Sequence, residues 1–356
     1  MGGDMKNNEF DVIIVGGGIT GAGTARDCAL RGLKVLLIER HDIATGATGR
    51  NHGLLHSGAR YAVTDKDSAS ECIKENMILK KIARHCVDDT SGFFITLPED
   101  DLDYQAKFVK ACQESGINAE IVDPKEAIRQ EPSINPSIIG AVRVPDGSVD
   151  PFRLCLSNIV DAKAHGTTVL LYSEVVDFIK EADTIKGVKV IDHVTGQTSE
   201  YYAPLTVNAA GIWGHHIAEL AGVTIGMFPA KGALLIFAHR VNSIVINRCR
   251  KPANADILVP GDTVCVIGTT STHVPLKSVT ICMSRLMKWI SCFLKVRNWH
   301  QSWHLPESCV LMQEYAHWYL PTMILQEGIL AEESSCLTMK NVTDSKASFP
   351  SQEVSL

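Results

Sequence analysis

Cysteine pairs at metal-ligand spacing are missing from this sequence, as are long basic runs and apolar segments of membrane-spanning length. Each absence narrows the function. None of the eleven cysteines stands in a C-x-x-C pair, which argues against a zinc ribbon or a sequence-evident iron–sulfur site. Scattered single cysteines read instead as small buried hydrophobes. The formal charge of −6 gives nucleic acid no purchase. The opening "MGGDMKNNEF" is polar and the apolar run after it is only a strand's length, so neither a signal peptide nor a membrane span is read and a cytosolic origin is expected. No metal constellation is visible. Glycine, otherwise plentiful, all but vanishes from residues 274–356, where Gly328 alone remains of the chain's 27.

With 356 residues and 45% hydrophobic content the chain is large enough for about two domains. "FDVIIVGGGITGAGTARDCALRGLKVLLIER" reads as strand, glycine turn, helix and strand. Gly16, Gly18 and Gly21 form G-x-G-x-x-G between Asp11–Val15 and a helix from Ile19 to about Arg31. The first glycine makes the tight turn, the second admits a pyrophosphate, and the third lets helix and strand pack closely. The helix N-terminus faces the phosphates. Gly32 suits the left-handed position after a helix. A second strand, Lys34–Ile38, delivers Glu39 at the spacing of an acid that binds a ribose hydroxyl.

Glu39 disfavours the extra phosphate of NADP and leaves NAD or FAD. A nicotinamide enzyme would usually continue into another βαβ repeat. Here the chain enters "HDIATGATGRNHGLLHSGARY", which has neither helical period nor strand alternation. Four glycines in residues 46–61 suit a strip lying flat against an extended, planar ligand such as FAD.

From Gly16 through Tyr61 the sequence resembles the FAD-dependent glycerol-3-phosphate dehydrogenases. Within them it is most similar to the large catalytic A-type subunits of the anaerobic, quinone-linked bacterial enzymes, and the resemblance covers about residues 8–272. It implies an α/β fold: an FAD-binding Rossmann-like domain of the glutathione-reductase/D-amino-acid-oxidase type, with an interleaved α+β substrate domain. FAD-binding parts are expected at 8–85 and 146–221, and substrate parts at 86–145 and 222–272. Expected cofactor contacts are Gly16, Gly18, Gly21, Glu39, Arg40, Thr45, Gly46, Thr48, Val176, Ala210 and Gly211, with Val175 and Asn208 close by.

The implied reaction is oxidation of sn-glycerol 3-phosphate to dihydroxyacetone phosphate, with hydride to flavin N5 and electrons onward to a membrane quinone. The resemblance also implies two partner subunits, one small and B-type, the other an iron–sulfur membrane anchor of C-type, with peripheral attachment at the cytoplasmic side of the inner membrane. Arg60 matches the family's phosphate-holding arginine, with Tyr61 beside it; a surface ion pair is the plainer alternative. Lys231 matches a lysine–glycine strand, against a solvated strand-end lysine. His56 is the candidate base because imidazole titrates near neutrality. A loop histidine bonded to backbone is equally open, and His52 is the weaker candidate. Arg248 and Arg250 alternate so as to share one face of a strand, which reads as a solvated sheet face. A rival enzymatic reading is an amine or amino-acid oxidase of the same fold.

Several elements are expected between these motifs. A helix over 67–86 is capped by Asp67 or Ser68, with Ala69, Cys72, Ile73, Leu79, Ile82, Ala83 and Cys86 mostly on one face. "YQAKFVKACQESG" is a helix closed by Gly116, and Pro124 and Pro151 each open a helix behind an aspartate cap. "TTVLLYSEVVDFIKE", "TIKGVKVIDHVTGQTSEYYA" and "LTVNAAGIWG" read as three or four strands, the last parallel and near the cofactor.

After about His273 periodicity fades and four of the five tryptophans appear. A last cofactor strand belongs here, and the sequence has no sign of one. Shifted by one base, "SQEVSL" permits Ile-Thr-Gly-Gly-Lys-Leu, a family-like glycine turn. "TMKNVTDSKAS" likewise permits Asp-His-Glu-Glu-Arg-Asp-Gly-Phe-Lys-Gly-Ile. These coincidences point to a frameshift near Thr272–His273, an out-of-frame 274–356, and a truncated product without activity as a further functional alternative; a divergent native tail is the plainer reading of the same residues. The expectation is that sequencing the gene reveals a broken frame at that point; one uninterrupted frame refutes it.

Overall fold

The computed structural model describes residues 8–254 and 256–275, together with the backbone of 309–313. The expected out-of-frame reading of most of 274–356 lies outside the described residues. Among those described, the α-helices are α1 (Ile19–Leu30), α2 (Lys66–Ile82), α3 (Asp103–Glu114), α4 (Pro124–Gln130), α5 (Pro151–Ala164) and α6 (Gly214–Leu220).

A four-stranded parallel sheet is built from Val12–Val15, Val35–Ile38, Thr168–Leu170 and Leu205–Asn208, with Val12–Val15 between the last and the second. Its two central strands, VIIV and VLLI, are buried along their whole length. That is why they read as continuous apolar runs without alternation. One face (Val12, Ile14, Val35, Leu37) packs on α1 and α5. There, Ala22, Ala25 and Ala29 meet Cys155, Ile159 and Ala162, and small side chains on α1 let the helices approach closely. Arg26 Nε and Asp161 Oδ2, 2.5 Å apart, tie the same two helices at their edge.

The opposite face (Ile13, Val15, Leu36, Ile38) is covered by an antiparallel meander of Ser173–Glu181, Thr184–Asp192 and Thr198–Tyr202, with Ile217 of α6. "TTVLLYSEVVDFIKE" is therefore two strands in two sheets: Thr168–Leu170 extends the parallel sheet and Ser173–Glu181 begins the meander. Tyr172, at φ 52, turns the chain between them.

A second large sheet has eight strands, in the order Cys309–Gln313, Ala233–Phe237, Cys265–Gly268, Ile257–Pro260, Val245–Arg248, Gly92–Thr96, Gly140–Val144 and Glu120–Val122. All neighbours are antiparallel except Val245–Arg248 and Gly92–Thr96. Residues after 273 thus do contribute a strand, to this sheet rather than to the parallel one. Phe93, Ile95, Leu235, Phe237 and Leu258 form the core of one face. On the other, Phe94 meets Phe108 of α3 with ring centroids 4.5 Å apart, next to Ala69 and Ile73 of α2. A further small sheet is formed by Leu54–Leu55, Gly147–Val149 and Val87–Asp88, and Leu54 packs on Val245, Ile257 and Val259 of the eight-stranded sheet.

Helix starts follow the aspartates. Asp123 and Asp150 accept the first amides of α4 and α5, each with proline in the opening turn. Gly32, Gly116 and Gly166 follow α1, α3 and α5 with positive φ. For α2 the cap is Asp65, which accepts from the Ser68 amide at 3.1 Å and the Ser68 hydroxyl at 2.7 Å, so the expected Asp67 and Ser68 are inside the helix. The buried face of α2 also departs from a purely apolar stripe. Ile82 is 62% exposed, while Asn76 is buried because it donates to two backbone carbonyls. No described helix is long and apolar enough to cross a membrane.

The two kinds of contribution separate by size. Phe93→Ala is expected to lower the free energy of unfolding by about 3–5 kcal/mol, since it empties a fully buried ring site. Asp65→Ala should cost much less, the loss of one exposed helix cap. Urea denaturation of the two variants measures both.

Candidate functional site

The glycine turn is constrained by backbone rather than by side chains. Gly16 sits at φ 114, and a Cβ there would lie 2.4 Å from the Ala209 carbonyl oxygen. At Gly21 a Cβ would lie 1.9 Å from the Gly16 oxygen. These two glycines let α1 and the Leu205–Asn208 strand end close against the turn. Gly18 has only the Thr48 hydroxyl near, at 3.1 Å from an added Cβ. Thr48 Oγ1 accepts the Ile19 amide at 3.0 Å, pinning the strip to the first residue of α1. With no acidic side chain in its first turn, α1 presents a favourable end to an anion.

Above this turn lies a cavity of about 390 Å³. Of the residues expected to touch a cofactor, Gly16, Gly18, Glu39, Arg40, Thr45 and Gly46 line it, as do Thr48, Ala210 and Gly211. Gly21 does not; it packs the helix on the turn. Val176 is 41% exposed and outside the lining, whereas Val175 is buried and part of it. The strand alternates there, and a bulge follows Val175. Asn208 builds the turn instead of the wall: it donates to the Gly214 carbonyl at 2.8 Å and accepts the Ala210 amide at 3.3 Å.

Glu39 is fixed in attitude. Oε2 accepts the Gly17 amide at 2.7 Å and Oε1 the His41 amide at 2.8 Å. Each oxygen keeps a further lone pair, the capacity needed to accept vicinal ribose hydroxyls. Arg40 lies over the Trp213 ring, 5.0 Å from its centroid, and 3.7 Å from Glu174. Trp213 also lines the cavity and sits against Gly46. Sequence reading missed it, although its signal, an aromatic two residues beyond Gly211, was present. The glycine cradle, helix end and oriented carboxylate fit the diphosphate and ribose of FAD. Among the described residues no group of three or more His, Cys, Asp or Glu could hold a metal.

The second half of the strip is elsewhere. His56, Arg60, Tyr61 and Lys231 do not line this cavity. His56 stands between His52 and Tyr61, with ring centroids 5.9 and 5.6 Å away. Burial holds both imidazoles down, to about 4; His56 and Arg60 add to the effect on His52, and Arg60 to that on His56. His52 is the loop-bonded histidine: its Nδ1 accepts the Leu54 amide at 3.2 Å. The His56 ring has no hydrogen-bond partner among the described residues, and its backbone is what is held. Asn76 donates to the Leu55 and His56 carbonyls at 3.0 Å, and the buried Asp146 accepts the Ser57 amide at 2.8 Å. Neither Asn76 nor Asp146 was legible as a site residue. The one available signal was a polar residue three positions from Ile73 on the apolar side of a helix.

Arg60 enters on a 3-10 turn, Ala59–Tyr61, behind Gly58 at φ 88. Its side chain is 15% exposed, Nη2 donates to the Ala253 carbonyl at 2.9 Å, and Asp256 lies 3.9 Å away. Lys231 is buried and makes no ion pair among the described residues. Arg248 and Arg250 are not on a solvated face. Arg248 is 4% exposed and donates to Asp100 at 3.0 and 2.6 Å, and Arg250 donates to Asp256 at 2.5 Å.

Fold and site together define a dinucleotide-binding flavoprotein. Residues 11–323 match the family described as FAD dependent oxidoreductase, and the chain belongs to that family; its cofactor is FAD. The chain is 65% identical over 269 residues to the A-type subunit of anaerobic glycerol-3-phosphate dehydrogenase from Escherichia coli K12, covering 76% of this chain and 50% of that one. It is 45% identical over 273 residues to the A1-type subunit of the Haloferax volcanii enzyme of the same name, covering 74% of this chain and 46% of that one. The chain thus spans about half the length of these relatives. Among solved structures, glycine oxidase from Geobacillus kaustophilus has a TM-score of 0.68 at 19% identity, covering 82% of this chain and 78% of that one. Glycerol-3-phosphate dehydrogenase from Bacillus halodurans, solved with FAD, has 0.63 at 22%, covering 86% and 57%. At these identities the likeness is one of fold.

The two buried histidines set a pH dependence. Folded, they stay neutral down to about 4; unfolded, each takes a proton near 6.5. Between those values the unfolded chain binds more protons, so stability falls as pH drops through that window. From pH 7 to pH 5 the loss should be roughly 1–2 kcal/mol per histidine. Replacing both by asparagine should flatten that slope in urea denaturation; an unchanged slope refutes it.

Proposed function

We propose that this chain is the flavin-binding part of a glycerol-3-phosphate dehydrogenase, oxidising sn-glycerol 3-phosphate to dihydroxyacetone phosphate. The reading rests above all on 65% identity to a protein of that name across 269 residues, 76% of this chain. Bound FAD supplies the hydride acceptor.

The chain's own residues do the remaining work. Arg60, confined and largely desolvated, offers charge-assisted hydrogen bonds to the phosphate. Tyr61 adds a phenol from the same turn, and Lys231 a second cation on a strand end. His56, neutral at pH 7 and with free ring nitrogens among the described residues, takes the hydroxyl proton as hydride leaves the secondary carbon. Glu39, Thr48, Gly18 and Gly211 keep the nucleotide in register, with Arg40 and Trp213 at the ribose end.

The relatives are named as single subunits of an enzyme, which supports a multi-subunit assembly. In it, electrons would leave to a quinone through two partners, a small B-type subunit followed by an iron–sulfur membrane anchor of C-type. The complex would be held peripherally on the cytoplasmic side of the inner membrane. The proposed division has FAD-binding parts at 8–85 and 146–221 and substrate parts at 86–145 and 222–272.

Purified with FAD, the chain should show flavin absorbance. The polypeptide with its frame restored after Thr272 should oxidise glycerol 3-phosphate with an artificial acceptor and leave glycine and sarcosine untouched. Arg60→Ala should raise KM for glycerol 3-phosphate by more than about tenfold, as expected for loss of a charged anchor. Turnover of glycine or sarcosine instead would establish the amine-oxidase alternative. A colourless chain as written would establish the defective-product reading.

A further inference from the structure

Arg60 does not hold its position alone. Its guanidinium belongs to a line of alternating charge that begins in the eight-stranded sheet. Arg248, on the strand Val245–Arg248, is paired with Asp100, which is itself 3% exposed. Arg250 Nη1 lies 3.7 Å from the other oxygen of Asp100, and its Nη2 donates to Asp256 Oδ1 at 2.5 Å. Asp256 is 1% exposed, and its Oδ2 accepts the Ala253 amide at 2.7 Å. The same Oδ2 lies 3.9 Å from Arg60 Nη2, which in turn donates to the Ala253 carbonyl. One residue thus supplies both the amide that orients Asp256 and the carbonyl that receives Arg60.

The other end of Arg60 is equally constrained. Gly58 precedes it in the left-handed region, and a Cβ there would lie 2.4 Å from the Ala69 carbonyl oxygen of α2. The arginine is therefore held at its root by α2 and at its tip by the Ala253 carbonyl, with the Asp256 carboxylate 3.9 Å away. Burial works against the cation, the charge of Asp256 opposes that, and Arg250 repels it. The line as a whole is balanced, with the guanidinium groups of Arg60, Arg250 and Arg248 set against the carboxylates of Asp256, Asp100 and Glu99, the last 3.2 Å from Arg248, and the Arg60 donors other than Nη2 are not committed among the described residues. A buried cation needs a fixed counter-charge to stay in place, and an anchor for a dianion needs donors to spare.

We propose that Asp256 is a positioning residue: it holds the Arg60 guanidinium in the attitude that receives the substrate's phosphate, while Arg250 keeps Asp256 itself in place. The proposal rests on the reading of Arg60 as the phosphate anchor given above. Asp256 touches neither substrate nor cofactor in this role. Removing its charge weakens phosphate binding and leaves flavin binding alone, because Asp256 is no part of the cavity under the glycine turn.

The test uses the polypeptide with its frame restored after Thr272, loaded with FAD and titrated with glycerol 3-phosphate and separately with inorganic phosphate, while the flavin absorbance is followed. Asp256→Asn preserves shape and removes charge. It should weaken both ligands about tenfold, the scale of one charged interaction, with the flavin Kd within about twofold of the parent. Asp256→Glu, which restores the charge, should recover most of the loss. Arg60→Ala combined with Asp256→Asn should bind no more weakly than Arg60→Ala alone, because Asp256 acts only through Arg60. Unchanged affinity in Asp256→Asn, or additive losses in the double variant, overturns the proposal. So does loss of flavin together with phosphate, which would make Asp256 a folding residue. A parent chain that binds flavin but neither phosphate ligand overturns the substrate reading itself and this inference with it.

Discussion

The contact between Gly16, Gly21 and the Ala209 backbone is the tightest constraint in the described structure, and the cofactor half is arranged around it. Three segments that are remote in sequence meet there without side chains between them: the end of the first strand, the first turn of α1 and the end of the Leu205–Asn208 strand. Any Cβ at Gly16 or Gly21 would sit inside a carbonyl group, so the approach fixes the distance from helix to sheet. That distance places the amide end of α1 beside the strip and lets Thr48 reach the Ile19 amide. From the other side Glu39 is clamped by the Gly17 and His41 amides, so turn and second strand hold one another. The cavity is the space these backbone contacts leave.

The strip that follows divides into two mechanical parts. Up to Asn51 it is a wall of the nucleotide cavity, held by hydrogen bonds from its own short turns. From His52 onwards it is carried by other elements: Asn76 of α2, the buried Asp146, and the packing of Gly58 on Ala69. The Asn76 amide donors and the Asp146 carboxylate are paired at little exposure, and that pairing fixes the backbone that presents His56 and Arg60. A shift in α2 would therefore reach His56 and Arg60 without touching the residues that line the cavity.

What could be read from the sequence depended on whether its cause was local. The first βαβ unit was legible to within a residue because apolar runs, glycine spacing and a terminal acid all state one geometry. Caps at Asp123 and Asp150 were legible because proline follows each directly. The cap of α2 was misplaced by two residues or more, since "DKDS" offers several hydrogen-bonding side chains and only tertiary packing selects Asp65. Arg248 and Arg250 looked solvated because strand alternation says which residues share a face and nothing about what covers it. Asp100 does, from another strand's end. Asp146, Asp256 and Trp213 act through partners far along the chain, and no pattern in a single sequence marks such residues.

The parallel pairing of Gly92–Thr96 with Val245–Arg248 bears on how the molecule is assembled during synthesis. The two strands are separated by roughly 150 residues, and Val12–Val15 is nearly 190 residues from its neighbour Leu205–Asn208. Neither half can close its sheet from local contacts, so the entropy of long loop closure precedes most of the stabilising burial. A ribosome-bound chain ending before residue 205 would carry the whole glycine fingerprint with one flank of its strand unpaired. Such intermediates expose sheet edges to other chains. Maturation of this protein therefore depends on the last third of the described chain emerging before that edge finds the wrong partner.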